Sequence, residues 1–182
     1  MDELAGKGGE WRKGSGPEYD IVISSRIRLA RKLSEFPFVR KCSDSDKSAI
    51  ETRVAELINQ DSKWSDPVSY YRIDEMNDLD RQFLVERQLI SRELAESNGA
   101  RSVLIDSDEK FSVMINEEDH LRIQAVQSGL DLTEAWHRVN AIDDFVDSCL
   151  HYAFHPRFGY LTACPTNVGT VSYTHLTLPT KA

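Results

Sequence analysis

Three short stretches of the sequence combine residue types that can do chemistry. In Ser24-Ser-Arg-Ile-Arg28, strand alternation would set Ser24, Arg26 and Arg28 on one face and Ile23, Ile27 and Leu29 on the other. The two guanidinium groups would then stand about 7 Å apart, a spacing that suits neighbouring oxygens of a polyphosphate, for which Arg is better shaped than Lys. A solvated sheet edge would read the same way. Arg31 and Lys32 add further positive charge. Asn116-Glu-Glu-Asp-His120 crowds three carboxylates between two apparent strands. Such a cluster repels itself unless it is solvated or faces a metal ion or a cationic substrate, and a plain polar turn is the alternative. Arg122, two residues beyond His120, shares its face and could join the phosphate grip. Cys164 stands where a strand gives way to Pro-Thr-Asn-Val-Gly. That loop could offer backbone N–H groups to an anion, and a nearby cation would favour the thiolate; a buried structural cysteine is the other reading. Cys149, on a helical stripe, reads as core, and Trp64 and Trp136 as packing residues. His137, His151 and His155 have no partner at metal-ligand spacing.

These side chains need a frame. Ile21–Leu29 reads as a strand. Asp44–Gln60 reads as a helix, with Ile50, Val54, Leu57 and Ile58 at helical spacing and a capping box from Ser48 and Glu51 if it starts that late. Tyr70–Ile73 is a short strand, and Asp78–Ala95 a helix striped by Leu79, Phe83, Leu84 and Leu94. Ser102–Ile105 and Phe111–Asn116 are strands around a polar turn. Alternation then resumes with Leu121 and Ile123 on one side and His120, Arg122 and Gln124 on the other. Thr133–Tyr152 is a helix whose stripe is Ala135, Val139, Ile142, Val146 and Cys149. Gly159–Ala163 is a last strand. This order predicts an α+β fold, a mainly antiparallel sheet flanked by helices.

The 182 residues carry a formal charge of −8, with 40% hydrophobic and 29% charged residues. At roughly 150 residues per domain this is one domain, too apolar for disorder. No apolar run reaches the ~18 residues of a membrane span, and the first twenty residues lack a signal-peptide core. Three widely spaced cysteines argue against a disulfide framework or a zinc knuckle, and cytoplasm is the default. Net acidity disfavours nucleic acid as a partner. Residues 1–20 form a polar, glycine-rich lead. From Val171 the chain reads VSYTHL, which resembles the translated adapter of a sequencing library. Residues 171–182 are therefore read as a non-native tail, expected to pack weakly after Thr170, although Val, Tyr, Thr and Leu also suit a strand.

Taken in order, SSRIRLAR, NEEDHLRIQ and GYLTACPTNVGT resemble the ATP:guanido phosphotransferases, the phosphagen kinase family. The resemblance covers Asp20 to Thr170. It makes residues 21–170 the N-terminal part of a glutamine synthetase-like catalytic domain, incomplete at its C-terminus. The short lead, Leu89-Ile-Ser91 and Cys164–Thr170 look like the bacterial branch that phosphorylates arginine side chains of proteins. The resemblance implies ATP contacts from Ser24, Ser25, Arg26, Ile27 and Arg28, with Arg122 as a further phosphate-binding arginine. It implies that Glu118, with Glu117 beside it, holds the substrate guanidinium next to a reactive Cys164. Gln88 stands where that branch would have an ATP-contacting histidine. ATP is the implied nucleotide, with Mg²⁺ carried chiefly by its phosphates and no protein metal ligands. Implied partners are arginine-containing protein substrates, a bacterial stress-response repressor, an activator protein and the Clp protease system. The family's later arginine-rich segments and second carboxylate would lie beyond Thr170, so the 182-residue chain by itself is expected not to catalyse transfer. Two other functions fit the same residues: a kinase for free arginine or another small guanidino compound, and a non-catalytic arginine-binding adaptor.

Overall fold

Apolar alternation in the central strands decides the architecture of the computed structural model, which describes residues 8–57, 64, 67–169 and 172–178. Six strands form one sheet: β1 (Ser24–Arg31), β2 (Val68–Arg72), β3 (Ser102–Asp106), β4 (Phe111–Ile115), β5 (Leu121–Ser128) and β8 (Ser172–Thr177). Their order is β2-β3-β4-β5-β1-β8, and every pairing is antiparallel. A separate hairpin joins β6 (Phe154–His155) to β7 (Gly159–Tyr160). The α+β architecture expected from the sequence is the one observed.

One face of the sheet buries Ile27, Leu29, Leu104, Phe111, Val113, Ile115, Leu121, Ile123 and Ala125 under α1 (Asp44–Glu56) and α4 (Leu132–Cys149). Those helices contribute Ile50, Val54, Ala135, Val139, Ile142 and Val146, which is the helical spacing seen in the sequence. The opposite face buries Val103, Ile105 and Met114 beneath α2 (Asp78–Glu86) and α3 (Arg92–Ala95). That second cover ends at β4. Beyond it, β5 and β1 present polar side chains on the same face.

Local physics moved several boundaries. α1 begins at a Ser43 cap, where Ser43 and Asp46 complete a capping box; Ser48 lies within the helix and Glu51 is buried. Ile58 lies outside the described residues. The expected helix over 78–95 is two helices, broken where Gln88 takes a left-handed φ of 60°. The break turns Leu89 and Ile90 back into the core and leaves the Gln88 carbonyl to accept Gln124 Nε2 at 2.6 Å. Leu79 is exposed rather than buried, and so is Cys149. The strand expected over 159–163 shrinks to two residues. Ser172–Thr177, expected to pack weakly, lies in register along the outer edge of β1 from Leu29 to Ser24. An unpaired edge of N–H and C=O groups recruits any segment rich in β-branched and aromatic residues, and Ser-Tyr-Thr-His-Leu-Thr is one.

Candidate active site

The polar part of the second sheet face is set by register. Arg28 lies opposite Gln124, Ala30 opposite Arg122, and Arg26 opposite Val126. Arg26, Arg28 and Arg122 therefore share a face: Arg28 lies about 7–8 Å from Arg122 on the diagonal and about 7 Å from Arg26 along the strand, with Arg26 farther from Arg122. Arg26 has a buried Nε with no hydrogen-bond partner. Burial first, and then Arg28, pull its guanidinium down to about 10. The group stays protonated at neutral pH, so the shift marks its burial and the positive charge of Arg28 beside it. Arg28 donates to His175 Nε2 at 3.1 Å, which requires that nitrogen to be an acceptor. Ser24 is buried on this face, whereas Ser25 and Ile27 point to the other. The Ser25 hydroxyl donates to the Gly129 carbonyl and accepts Asp131 N–H, pinning the turn that starts α4. Any role of Ser25 and Ile27 toward a nucleotide is left to their backbone.

The acidic turn is already holding a guanidinium, that of Arg122. Its Nη1 bonds Glu117 Oε1 at 2.8 Å and Oε2 at 2.6 Å, and Nη2 bonds Glu118 Oε2 at 3.0 Å. The two acids are unlike each other. The Glu117 side chain is 1% exposed and also accepts Ser91 Oγ–H at 2.5 Å and the Glu118 N–H at 3.2 Å. Glu118 is 39% exposed and opens onto a cavity of about 290 Å³. Arg28, Arg122, Cys164 and Asn167 line the same cavity. Glu117 is thus committed to the protein's own cation, and Glu118 is the acid that faces outward.

Cys164 reaches this cavity through two anchors. Buried Asp119 accepts Ala163 N–H at 2.6 Å, tying the cysteine loop to the acidic turn. Desolvation holds the Asp119 carboxyl above its ordinary range. Farther back, Arg31 makes a two-pronged bond to Asp143 and lies 4.1 Å from the centre of the Tyr160 ring. Tyr160 in turn pairs its backbone with Gly169, closing the loop around Cys164. The thiol sits 2.8 Å from Thr166 Oγ1. Arg31 and Lys32 do not join the positive face: Arg31 is buried against Asp143, and the Lys32 ammonium donates to the Leu33 and Phe36 carbonyls.

His120 does not share Arg122's face either. It precedes β5, is fully buried, and accepts Leu33 N–H on Nδ1 at 3.0 Å. Nε2 must then carry the proton and donate to the Pro37 carbonyl at 2.8 Å. Asp119, Ser91 and Asn167 were given no role by sequence reasoning. Asp119 was visible only as one member of a charge cluster, and Ser91 only as part of a motif. A larger cleft of about 630 Å³ lies between α2 and α3, but its Arg81 is occupied by the Met76 and Ala95 carbonyls. Among the described residues, no three His, Cys, Asp or Glu side chains converge on a cation site, and no helix is long and apolar enough to cross a membrane.

The chain and its fold have counterparts among known proteins. Residues 49–180 match the family described as ATP:guanido phosphotransferase, C-terminal catalytic domain, and the chain belongs to that family of ATP:guanido phosphotransferases. Among similar sequences, the protein-arginine kinase of Symbiobacterium thermophilum is 48% identical over 166 residues, and that of Brevibacillus brevis 44% over 161. Each alignment covers 88% of this chain, which spans about half the length of these relatives (46% and 45%). Taurocyamine kinase from Schistosoma mansoni with bound transition-state analogue components superposes at a TM-score of 0.78, with 26% identity over 92% of this chain and 25% of that one. Lombricine kinase shares the fold at a TM-score of 0.75, covering 90% of this chain and 49% of its own.

Proposed function

We propose that this segment builds the guanidinium pocket and part of the nucleotide site of a cytoplasmic kinase that transfers the γ-phosphoryl group of ATP to arginine side chains of proteins. One observation carries the reading. Glu117 and Glu118 hold a guanidinium, that of Arg122, on the same sheet face as Arg26 and Arg28. In this resting arrangement Arg122 serves both groups. An incoming γ-phosphate would compete with Glu118 for Nη2, while buried Glu117 keeps Nη1. Glu118 would then be free for the substrate guanidinium.

The chemistry follows from that exchange. A guanidinium with a pKa above 12 is a poor nucleophile until it loses a proton. Glu118 would orient it and accept that proton as the N–P bond forms and the bond from phosphorus to the ADP oxygen breaks. Arg26, Arg28 and Arg122 would neutralise and align the phosphates, and positioning with electrostatics supplies most of such catalysis. Cys164 would lie against the bound guanidinium. Mg²⁺ would come with the nucleotide, because the acids here are tied to Arg122. Partners on this reading are arginine-bearing proteins, including a stress-response repressor, an activator and the Clp protease system. The test is to supply the full-length protein that carries this segment with ATP and either an arginine-rich protein or free arginine. Acid-labile phosphate on the protein is expected. Phosphate on free arginine alone would instead make this a small-guanidino kinase, and absence of nucleotide affinity would make it an adaptor.

A further inference from the structure

We propose that Ser91 is a positioning residue of this site: its hydroxyl fixes Glu117, Glu117 fixes Arg122, and Arg122 sets where Glu118 stands. The effect on phosphoryl transfer rests on the reading above; the structural role does not. Ser91 caps α3, its Oγ accepting Leu94 N–H at 3.1 Å. A hydroxyl has one proton to give, and here it goes to Glu117 Oε1 at 2.5 Å. A single atom therefore joins the helical cover of the sheet to the acid turn.

The Glu117 carboxylate is almost wholly buried; it is hydrogen-bonded by Ser91, Arg122 and the Glu118 N–H, and the Arg101 guanidinium acts on it through charge. Without the Ser91 proton, a buried charged acceptor is one donor short, which is costly where water does not reach. The carboxylate is then expected to turn, and Arg122 Nη1 to turn with it. Because Nη2 of the same planar group bonds Glu118, the displacement passes to the cavity. Ser91 itself is firmly seated. Its N–H meets Met114 Sδ at 3.3 Å, and Met114 lies directly opposite Arg122 in the β4–β5 pairing. The preceding Leu89 carbonyl accepts both Ser112 Oγ and Gln124 Nε2.

The substitutions separate capping from positioning. Glycine is a tolerated helix cap but gives no hydroxyl; threonine keeps both functions; aspartate caps well but at neutral pH has no proton to give. In the 182-residue chain, the Arg122 Nη protons are followed by NMR, assigned by their loss in Arg122→Lys. Slowed rotation, with resolved signals, is expected in the parent and in Ser91→Thr. Averaged signals are expected in Ser91→Gly and Ser91→Asp, with the thermal midpoint of Ser91→Gly close to the parent's. Resolved signals in both Ser91→Gly and Ser91→Asp would overturn the proposal, as would their loss in Ser91→Thr. In the full-length protein, Ser91→Gly should lower kcat by about 10- to 100-fold with KM for ATP within about threefold, and Ser91→Thr should restore it. A parent that transfers no phosphate would sink the kinase reading while the NMR result still decides Ser91. Parental kcat in Ser91→Gly would sink the proposed consequence for transfer.

Discussion

Glu117 and Glu118 are adjacent in sequence and identical in type, yet one is sealed against Arg122 and Ser91 while the other faces a cavity. Nothing in Asn116-Glu-Glu-Asp-His120 distinguishes them, because the difference is made by residues 91 and 122. At this scale two substitutions are informative in the full-length protein. Glu118→Gln keeps the size and loses the charge, so transfer should fall by roughly 10²–10⁴ while ATP affinity stays within a few-fold. Undiminished turnover would take Glu118 out of the mechanism. Arg28→Lys keeps the charge and loses the fork, so calorimetry should show weaker ATP binding than the parent. Equal affinity would return Arg28 to an ordinary exposed strand.

Elements, rather than single residues, meet at His120, which bonds the end of β1 through Leu33 N–H and the Pro37 loop through its carbonyl. Burial pulls this ring down to about 4 from the ordinary 6.5, and Lys32 adds to the fall. The fold therefore holds the neutral ring. Its contribution is full above about pH 6.5 and is lost as pH falls toward 4, an effect of up to about 3 kcal/mol. Asp119 and Asp143, both raised by burial, run the other way because the fold favours their protonated forms. Urea unfolding between pH 6.5 and 4.5 should lose stability in the parent and lose less of it in His120→Gln. Parallel curves for the two would show that the ring does not drive the decline. The buried stripes of α1 and α4 were legible in the sequence because helix period and apolar side chains coincide there. The break at Gln88 was not, because the sequence from 78 to 95 has no glycine or proline to announce it.

For the molecule as a whole, the Arg31–Asp143–Tyr160 contact ties β1, α4 and the cysteine loop into one body. Arg31→Met leaves the buried Asp143 carboxylate unpaired, which should cost about 3–5 kcal/mol in urea unfolding; Arg31→Met with Asp143→Leu should recover much of it. If the single variant unfolds like the parent, the pair is not what holds the loop. β8 protects the outer edge of β1, so removing residues 171–182 should increase self-association in sedimentation. A truncated chain that stays monomeric at the parent's concentrations would show that edge to be harmless. The sequence by itself determined the α+β class, the face that Arg26 and Arg28 share, and the kinship carried by three motifs. Those are properties of alternation and of residue order, which need no partner to be read. Only the tertiary structure decided that Arg31 and Lys32 leave the positive face, that Asp119 anchors the cysteine loop, and that Glu118 rather than Glu117 meets the cavity. Each of those outcomes depends on which distant group arrives to satisfy a buried charge, and burial of a charge is settled by packing across the chain.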